Sequence, residues 1–215
     1  MKNLILSALL IMASFSLATA QESNSSSFNP WQFRLRAVVV SPDESASIGT
    51  IGGDVDISTT VIPELDITYF FTRNWAAELI LGTTKHKVEA TNTAAGNIDL
   101  GDVWLLPPTL TLQYHLTKWE KFKPYIGAGV NYTIFYNADE GPVADKVEYD
   151  NAFGFATQLG LDYMISDKWF INLDIKKIFL QTDVTVNANT ALGATVPADV
   201  DINPWLIGLG IGVKL

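Results

Sequence analysis

Two runs of strictly alternating residues, joined by a short polar turn, constrain this chain more than any other stretch. They lie between Leu105 and Ile134, LLPPTLTLQYHLTKWEKFKPYIGAGVNYTI. In the first run Leu106, Pro108, Leu110, Leu112, Tyr114 and Leu116 share one face, and Pro107, Thr109, Thr111, Gln113 and His115 the other. In the second, Pro124, Ile126, Ala128, Val130, Tyr132 and Ile134 alternate with Tyr125, Gly127, Gly129, Asn131 and Thr133. Period two is a strand signal, and the turn between the runs makes them a hairpin. Each run is about the 9–11 residues that a tilted strand needs to cross a bilayer.

The N-terminus is set apart from any fold. Lys2, an apolar run from Leu4 to Leu17 and the small-residue ending Ala18-Thr19-Ala20 read as a secretory signal peptide over residues 1–20. A Ser-rich lead over 21–30 follows, predicted to hold little order and to lie in the periplasm. Beyond it, residues 31–215 suit one domain, and no window there carries the ~18 apolar residues of a transmembrane helix. A membrane could be entered only by strands. The chain carries 14 basic and 23 acidic residues, net −9, which argues against nucleic acid, whose phosphates demand a basic surface. It has no cysteine, so an exported chain has neither disulfides nor a thiolate metal site.

The same alternation recurs along the chain. It predicts strands at Trp31–Val40, Ile62–Phe71, Trp75–Thr84, the two hairpin runs, Asn151–Tyr163, Trp169–Leu180 and Pro204–Leu215. Between them, Ser41–Val61, Lys85–Asp102, Phe135–Asp150 and Gln181–Asn203 read as long polar loops that alternate with short turns. One face of every strand is aliphatic and aromatic, while the other carries Arg, Glu, Asp, Gln, Gly and Thr. That pattern fits an all-β, eight-stranded antiparallel transmembrane barrel with its apolar face in lipid. A soluble barrel would invert it. Trp31, Trp75, Tyr163 and Trp169 at the short-turn ends, with Trp104, Tyr132 and Trp205 at the other, read as the aromatic girdles of such a barrel. Short turns are periplasmic in these proteins, which would put both termini there.

Several segments also resemble the OmpW family of outer-membrane proteins of Gram-negative bacteria: Trp31 with Arg34–Ala37, then LPPTLTLQYHL, KPYIGAGVNYT, DKWFINLDIKKI and NPWLIGLGIGVKL. The resemblance spans essentially the whole mature chain. It implies a narrow barrel that passes small, largely apolar molecules through the outer membrane. Two features depart from it: the loops match no pattern, and the chain ends in Leu215 where many such barrels end in Phe. The expected partners are outer-membrane lipid and lipopolysaccharide, small hydrophobic solutes, and the insertion machinery during assembly; no cofactor is expected.

Function rests on the interior. Inward parity brings Arg34, Arg36, Asp66, Glu78 and Asp174 to mid-barrel, where paired charges would form a plug. Nearer the long-loop end it brings Val38, Val40, Ile80, Leu105, Ala156 and Leu206, an apolar upper lumen that either binds a hydrophobic molecule or is packed shut. Pro107 and Pro108 lack ladder donors and predict a local gap in the wall, read either as a lateral exit or as a bulge near the rim. No catalytic constellation stands out, although Ser47 or Ser58 beside His86 is a weak hydrolase pattern. Asp54/Asp56, Asp139/Glu140 and Asp199/Asp201 read as solvated acidic loops before metal sites. The competing function is a structural or adhesive barrel acting through its loops.

Overall fold

A computed structural model describes residues 29–49 and 51–215. The signal peptide expected over 1–20, and the lead up to residue 28, lie outside the described residues. Fourteen strands, β1 (Trp31–Ser41), β2 (Ser45–Ile48), β3 (Asp54–Ile57), β4 (Thr60–Phe70), β5 (Trp75–Leu81), β6 (Thr84–Thr93), β7 (Gly96–Leu106), β8 (Thr109–His115), β9 (Phe122–Glu140), β10 (Lys146–Tyr149), β11 (Ala152–Met164), β12 (Trp169–Ala188), β13 (Ala194–Asp201) and β14 (Trp205–Lys214), form one antiparallel sheet. A one-turn helix, α1 (Asn189–Leu192), links β12 to β13 and ends at Gly193 in the left-handed conformation, φ 66°.

Eight of these strands close a ring in the order β1, β4, β5, β8, β9, β11, β12, β14, and β14 pairs back onto β1 from Gln32↔Lys214 to Ser41↔Trp205. The chain is therefore an eight-stranded antiparallel barrel with no free edge at its waist. The alternation assigned the faces: β1 reads exposed-buried throughout, with Arg34, Arg36, Val38 and Val40 inward and Leu35 56 % exposed. Leu110, Leu112, Ile126, Val130, Leu159, Leu173 and Leu209 likewise stand exposed on the outer wall. In water such a belt would be untenable; in hydrocarbon it costs nothing and removes the need for polar partners.

The four expected long loops are strands instead. Ser41–Val61 holds β2, β3 and the start of β4; Lys85–Asp102 holds β6 and most of β7; Phe135–Asp150 holds the end of β9 and β10; Gln181–Asn203 holds the end of β12, α1 and β13. The physical reason is visible in β12, whose buried-exposed alternation runs on from Trp169 to Val184 and beyond. Its outward residues change from Ile171, Leu173 and Ile175 to Gln181, Asp183 and Thr185, while Thr182, Val184 and Ala188 stay buried. Polarity on the outer face marks where the strand leaves lipid, not where it stops. At ~3.3 Å per residue the strand is roughly 65 Å long, against ~30 Å of hydrocarbon. Among the described residues the exposed large apolar side chains lie on the ring strands, in their short turns and at Leu106 where β7 ends, with none on β2, β3, β6, β10 or β13. The barrel thus continues as a polar-skinned extension.

The extension has its own core. Val55, Val88, Ala90, Ile98, Leu100, Val103, Val147, Val184 and Val200 are buried together with the ring's Val38, Val40 and Leu206. A buried Val, Leu or Ile side chain stabilises by about 1.5–3 kcal/mol, enough in sum to order strands that a composition rich in Gly, Ser, Thr and Asp does not favour. Its edge strands β2 and β3 are tied through side chains: Ala46 N donates to Asp54 Oδ1 (2.7 Å) and Ile57 N to Glu44 Oε1 (2.9 Å).

A second correction concerns the expected fourth strand. Leu105 and Leu106 end β7, which pairs β6 and β9, and β8 begins only at Thr109. Pro107 and Pro108 sit between them, outside any strand.

Candidate functional site

The waist of the barrel is filled by charged and amide side chains that alternate inward from β1, β4, β5, β8, β9, β11 and β12. Arg34 reaches Asp66 (3.1 Å), Glu78 (2.6 Å) and Asp162 (3.4 Å). Arg36 Nη2 lies 2.8 Å from Glu64, 2.9 Å from Asp66 and 3.4 Å from Glu78, while its Nη1 donates to Asn172 at 3.2 Å. Glu78 Oε2 accepts from Gln113 and Gln158, both at 2.8 Å. Tyr125 donates to Asp174 at 2.7 Å, and Lys176 contacts Asp174 and, at 3.5 Å, Glu64. All are 5 % exposed or less. Isolated, each ion would cost several kcal/mol in such surroundings; paired and hydrogen-bonded, they form a network whose members need one another.

The sequence pattern had singled out Arg34, Arg36, Asp66, Glu78 and Asp174, and the structure brings all five together. Asp162, which parity places inward but lower in the barrel, joins them through Arg34, and the structure adds the charged Glu64 and Lys176 and the neutral Tyr125, Gln113, Gln158 and Asn172. Each occupies an inward position of an alternating strand, so parity alone could have found them; a neutral amide or phenol simply carries no charge signal. Small residues make the space. A Cβ on Gly160 would collide with the Tyr125 ring, and one on Gly212 with Phe170.

Above the network, on the extension side, lies a cavity of about 110 Å³. Val40, Ile80, Leu105 and Leu206 border it; Val38 and Ala156 belong to the same apolar cluster without bordering it. Most of its wall comes from the extension, including Ile57, Val88, Leu100, Phe135, Val184 and Val200. Composition reads the extension as loops, so the sequence does not reveal this part of the site. Tyr149 also borders the cavity, stacked on Phe135 (5.4 Å), and burial pushes its phenol above the ordinary value, keeping it neutral. Glu64 and Lys176 form the floor. At the opposite, short-turn end Arg73, His115, Lys123 and Lys214 surround an open vestibule of about 360 Å³.

The wall is interrupted at Pro107-Pro108 on one side only. Toward β9 the ladder persists: Leu106 pairs with Ile134, Pro108 O accepts from Tyr132 N (3.1 Å), and Thr109 pairs with Asn131. Toward β5 and β6 the pairing ends at Ile80↔Thr109 and resumes at Thr84↔Leu105, leaving 81–83 opposite 106–108 without a ladder. On β4, residues 60–64 also lie beyond the last pair with β5, Leu65↔Leu81. Ile62, Gly82 and Pro107 at this seam border the cavity.

The aromatic residues fall at two levels. Trp31 packs on Tyr69 (4.8 Å), Trp75 on Tyr114 (5.0 Å) and Tyr163 on Phe122 (5.1 Å), with Trp169 near by at the Val213 register, all at the short-turn end. Trp104 with Tyr136, Tyr132 with Phe153, and Trp205 under the Lys177 ammonium (4.8 Å) mark the base of the extension.

His86 is buried in the extension, its Nδ1 2.6 Å from the Ser58 carbonyl and its Nε2 2.9 Å from the Thr84 hydroxyl. Its contact with Ser58 is to backbone, and the Ser58 hydroxyl accepts from Lys87 N, so the pair is not arranged as nucleophile and base. Of the acidic pairs, Asp54 accepts from Ala46 N on β2, and Asp139 lies 3.8 Å from Lys85.

Residues 29–215 match the OmpW family model. An uncharacterized outer-membrane protein of Sinorhizobium fredii is 46% identical over 196 residues, 91% of this chain and 84% of its own length. A dibenzothiophene metabolism operon protein of Pseudomonas aeruginosa is 32% identical, covering 86% and 88%. The crystal structure of the outer membrane protein OprG from Pseudomonas aeruginosa superposes with a TM-score of 0.80 at 29% identity, covering 87% of this chain and 96% of OprG. Fold, lipid-facing belt and relatives agree on the outer membrane of a Gram-negative bacterium, and the chain belongs to the OmpW family.

Proposed function

We propose that the barrel conducts small, mainly hydrophobic molecules inward across the outer membrane. They enter through the extension, which faces outward with lipopolysaccharide around it, and they leave sideways into the bilayer at the Pro107-Pro108 seam. Both termini are then periplasmic, and the last strand is what the insertion machinery meets. The observation that carries this reading is the sequence of environments along the axis: an apolar cavity set directly on a buried ion network. An apolar solute is stabilised in the first and excluded by the second, since passing the network would separate ions or strip their hydrogen bonds at several kcal/mol. The seam borders the cavity, and there the wall lacks ladder bonds between 81–83 and 106–108. The operon name of the Pseudomonas aeruginosa relative points toward an apolar aromatic compound of similar character.

The test is uptake of a small aromatic hydrocarbon by cells displaying the protein, compared with a Leu206→Trp variant that fills the cavity. Uptake by the folded variant should fall to the level of cells without the protein. Undiminished uptake would leave the extension's surface, not its interior, as the functional part.

A further inference from the structure

The floor of the cavity is not apolar. Glu64 and Lys176 border it, and Glu64 is 3 % exposed. Among the described residues neither oxygen of the Glu64 carboxylate accepts a hydrogen bond; Oε1 has only the Arg36 guanidinium at 2.8 Å and the Lys176 ammonium at 3.5 Å, without hydrogen-bond geometry. A buried carboxylate ordinarily collects several donors. Arg36 Nη2, its nearest donor, is shared among Glu64, Asp66 and Glu78, the unpartnered Arg36 Nε makes no bond to it, and Lys176 donates to Asp174.

Charge points the same way. The network sets Glu64, Asp66, Glu78, Asp162 and Asp174 against Arg34, Arg36 and Lys176, with Lys214 at the far, short-turn end, so carboxylates still outnumber cations, and Glu64 is the one at the cavity-facing edge. A hydrogen-bond donor arriving from the cavity would meet an acceptor that lacks one, in a site already short of positive charge. A carboxylate arriving there would be repelled.

We propose that Glu64 is a head-group site, so that the preferred solutes are small amphiphiles with an apolar body and one donor head, a hydroxyl or an ammonium, seated head-down on the network. This rests on the reading of the cavity as the solute's path, and it names the class of solute that path favours. The apolar body lies against Ile62, Ile80, Ile178 and Leu206, and the donor reaches the Glu64 carboxylate. Hydrogen bonds to charged acceptors are strong enough to raise affinity about tenfold or more over the bare hydrocarbon.

The experiment titrates pentane, 1-pentanol, pentylamine and pentanoate into the mature protein in lipid nanodiscs, with empty nanodiscs subtracted. Pentanol and pentylamine should bind about tenfold tighter than pentane, and pentanoate more weakly than either. Glu64→Gln, with folding checked by its heat-modifiable migration, should cut the advantage of pentylamine over pentane to under about threefold. Equal binding of pentane, pentanol and pentylamine by the wild-type protein would overturn the head-group site while leaving the apolar path intact. Binding of none of the four would overturn the path itself. The wild-type series decides the matter even where Glu64→Gln does not fold.

Discussion

Arg34 Nη1 holds Glu78 Oε1 at 2.6 Å across the bore, although β1 and β5 are not neighbours and β4 stands between them. The pair therefore braces the ring through its interior, independently of the ladder. Glu78→Ala leaves Arg34 short of a partner and frees the Gln113 and Gln158 amides, so we expect a loss of about 3–5 kcal/mol in urea unfolding. Replacing Arg36, Asp66 and Glu78 together by Ala should raise single-channel conductance in planar bilayers. A conductance equal to wild type would place the block elsewhere in the bore.

The outer wall gives a second expectation. Leu110 is 46 % exposed on β8, and Arg there would sit in hydrocarbon at a cost of about 2–4 kcal/mol. Thr185 is exposed on the part of β12 beyond the apolar belt, where Arg should change stability by less than about 0.5 kcal/mol. Folded yield in lipid distinguishes the two variants, and equal yields would contradict the membrane boundary drawn at the base of the extension.

At the seam, Pro107→Ala combined with Pro108→Val restores the two backbone N–H groups missing from the wall, the one at 107 toward the unpaired stretch at 81–83 and the one at 108 toward β9, where Pro108 O already meets Tyr132 N. Uptake of an apolar solute should slow severalfold, while folding and ion conductance hold. Wild-type uptake by a folded variant would remove the seam as the exit.

Acid should loosen the extension. Burial holds the His86 imidazole below its ordinary value of about 6.5, so the folded protein binds that proton less readily than the unfolded chain. The contribution of the neutral ring is present in full above that ordinary value and is lost as pH falls from there toward the lower folded value. The Ser58 and Lys87 amides, which bond across this corner, report it: their exchange, corrected for intrinsic rates, should accelerate between pH 7.5 and 5. His86→Gln should flatten the dependence; the same acceleration in that variant would point to another group.

The barrel was legible because period two is indifferent to what the outward residue is. Leu35, Ile126 and Leu209 point to lipid and Arg34, Gly127 and Gly210 inward by counting alone. A reading by composition abandons that indifference past Leu180 and Phe135, where outward residues turn polar, and so misses the six strand pairings of the extension. Within the site, charge makes Arg34, Arg36, Asp66, Glu78 and Asp174 stand out, whereas Tyr125 and Gln158, inward by the same count, carry no charge to mark them. Which acids share which guanidinium depends on strand stagger, and no spacing along the chain encodes it.

The ring is sealed where β14 meets β1, and between Leu206 and Lys214 the inward positions of β14 are Gly208, Gly210 and Gly212. A side chain on Gly210 would collide with the Leu35 carbonyl and Arg36, and one on Gly212 with Phe170. The final piece of the wall to be synthesised is thus smooth on its inner side. It can slide into register after the ions are already clasped, closing the barrel like a lid without a lip, with nothing bulky to be threaded past a filled interior.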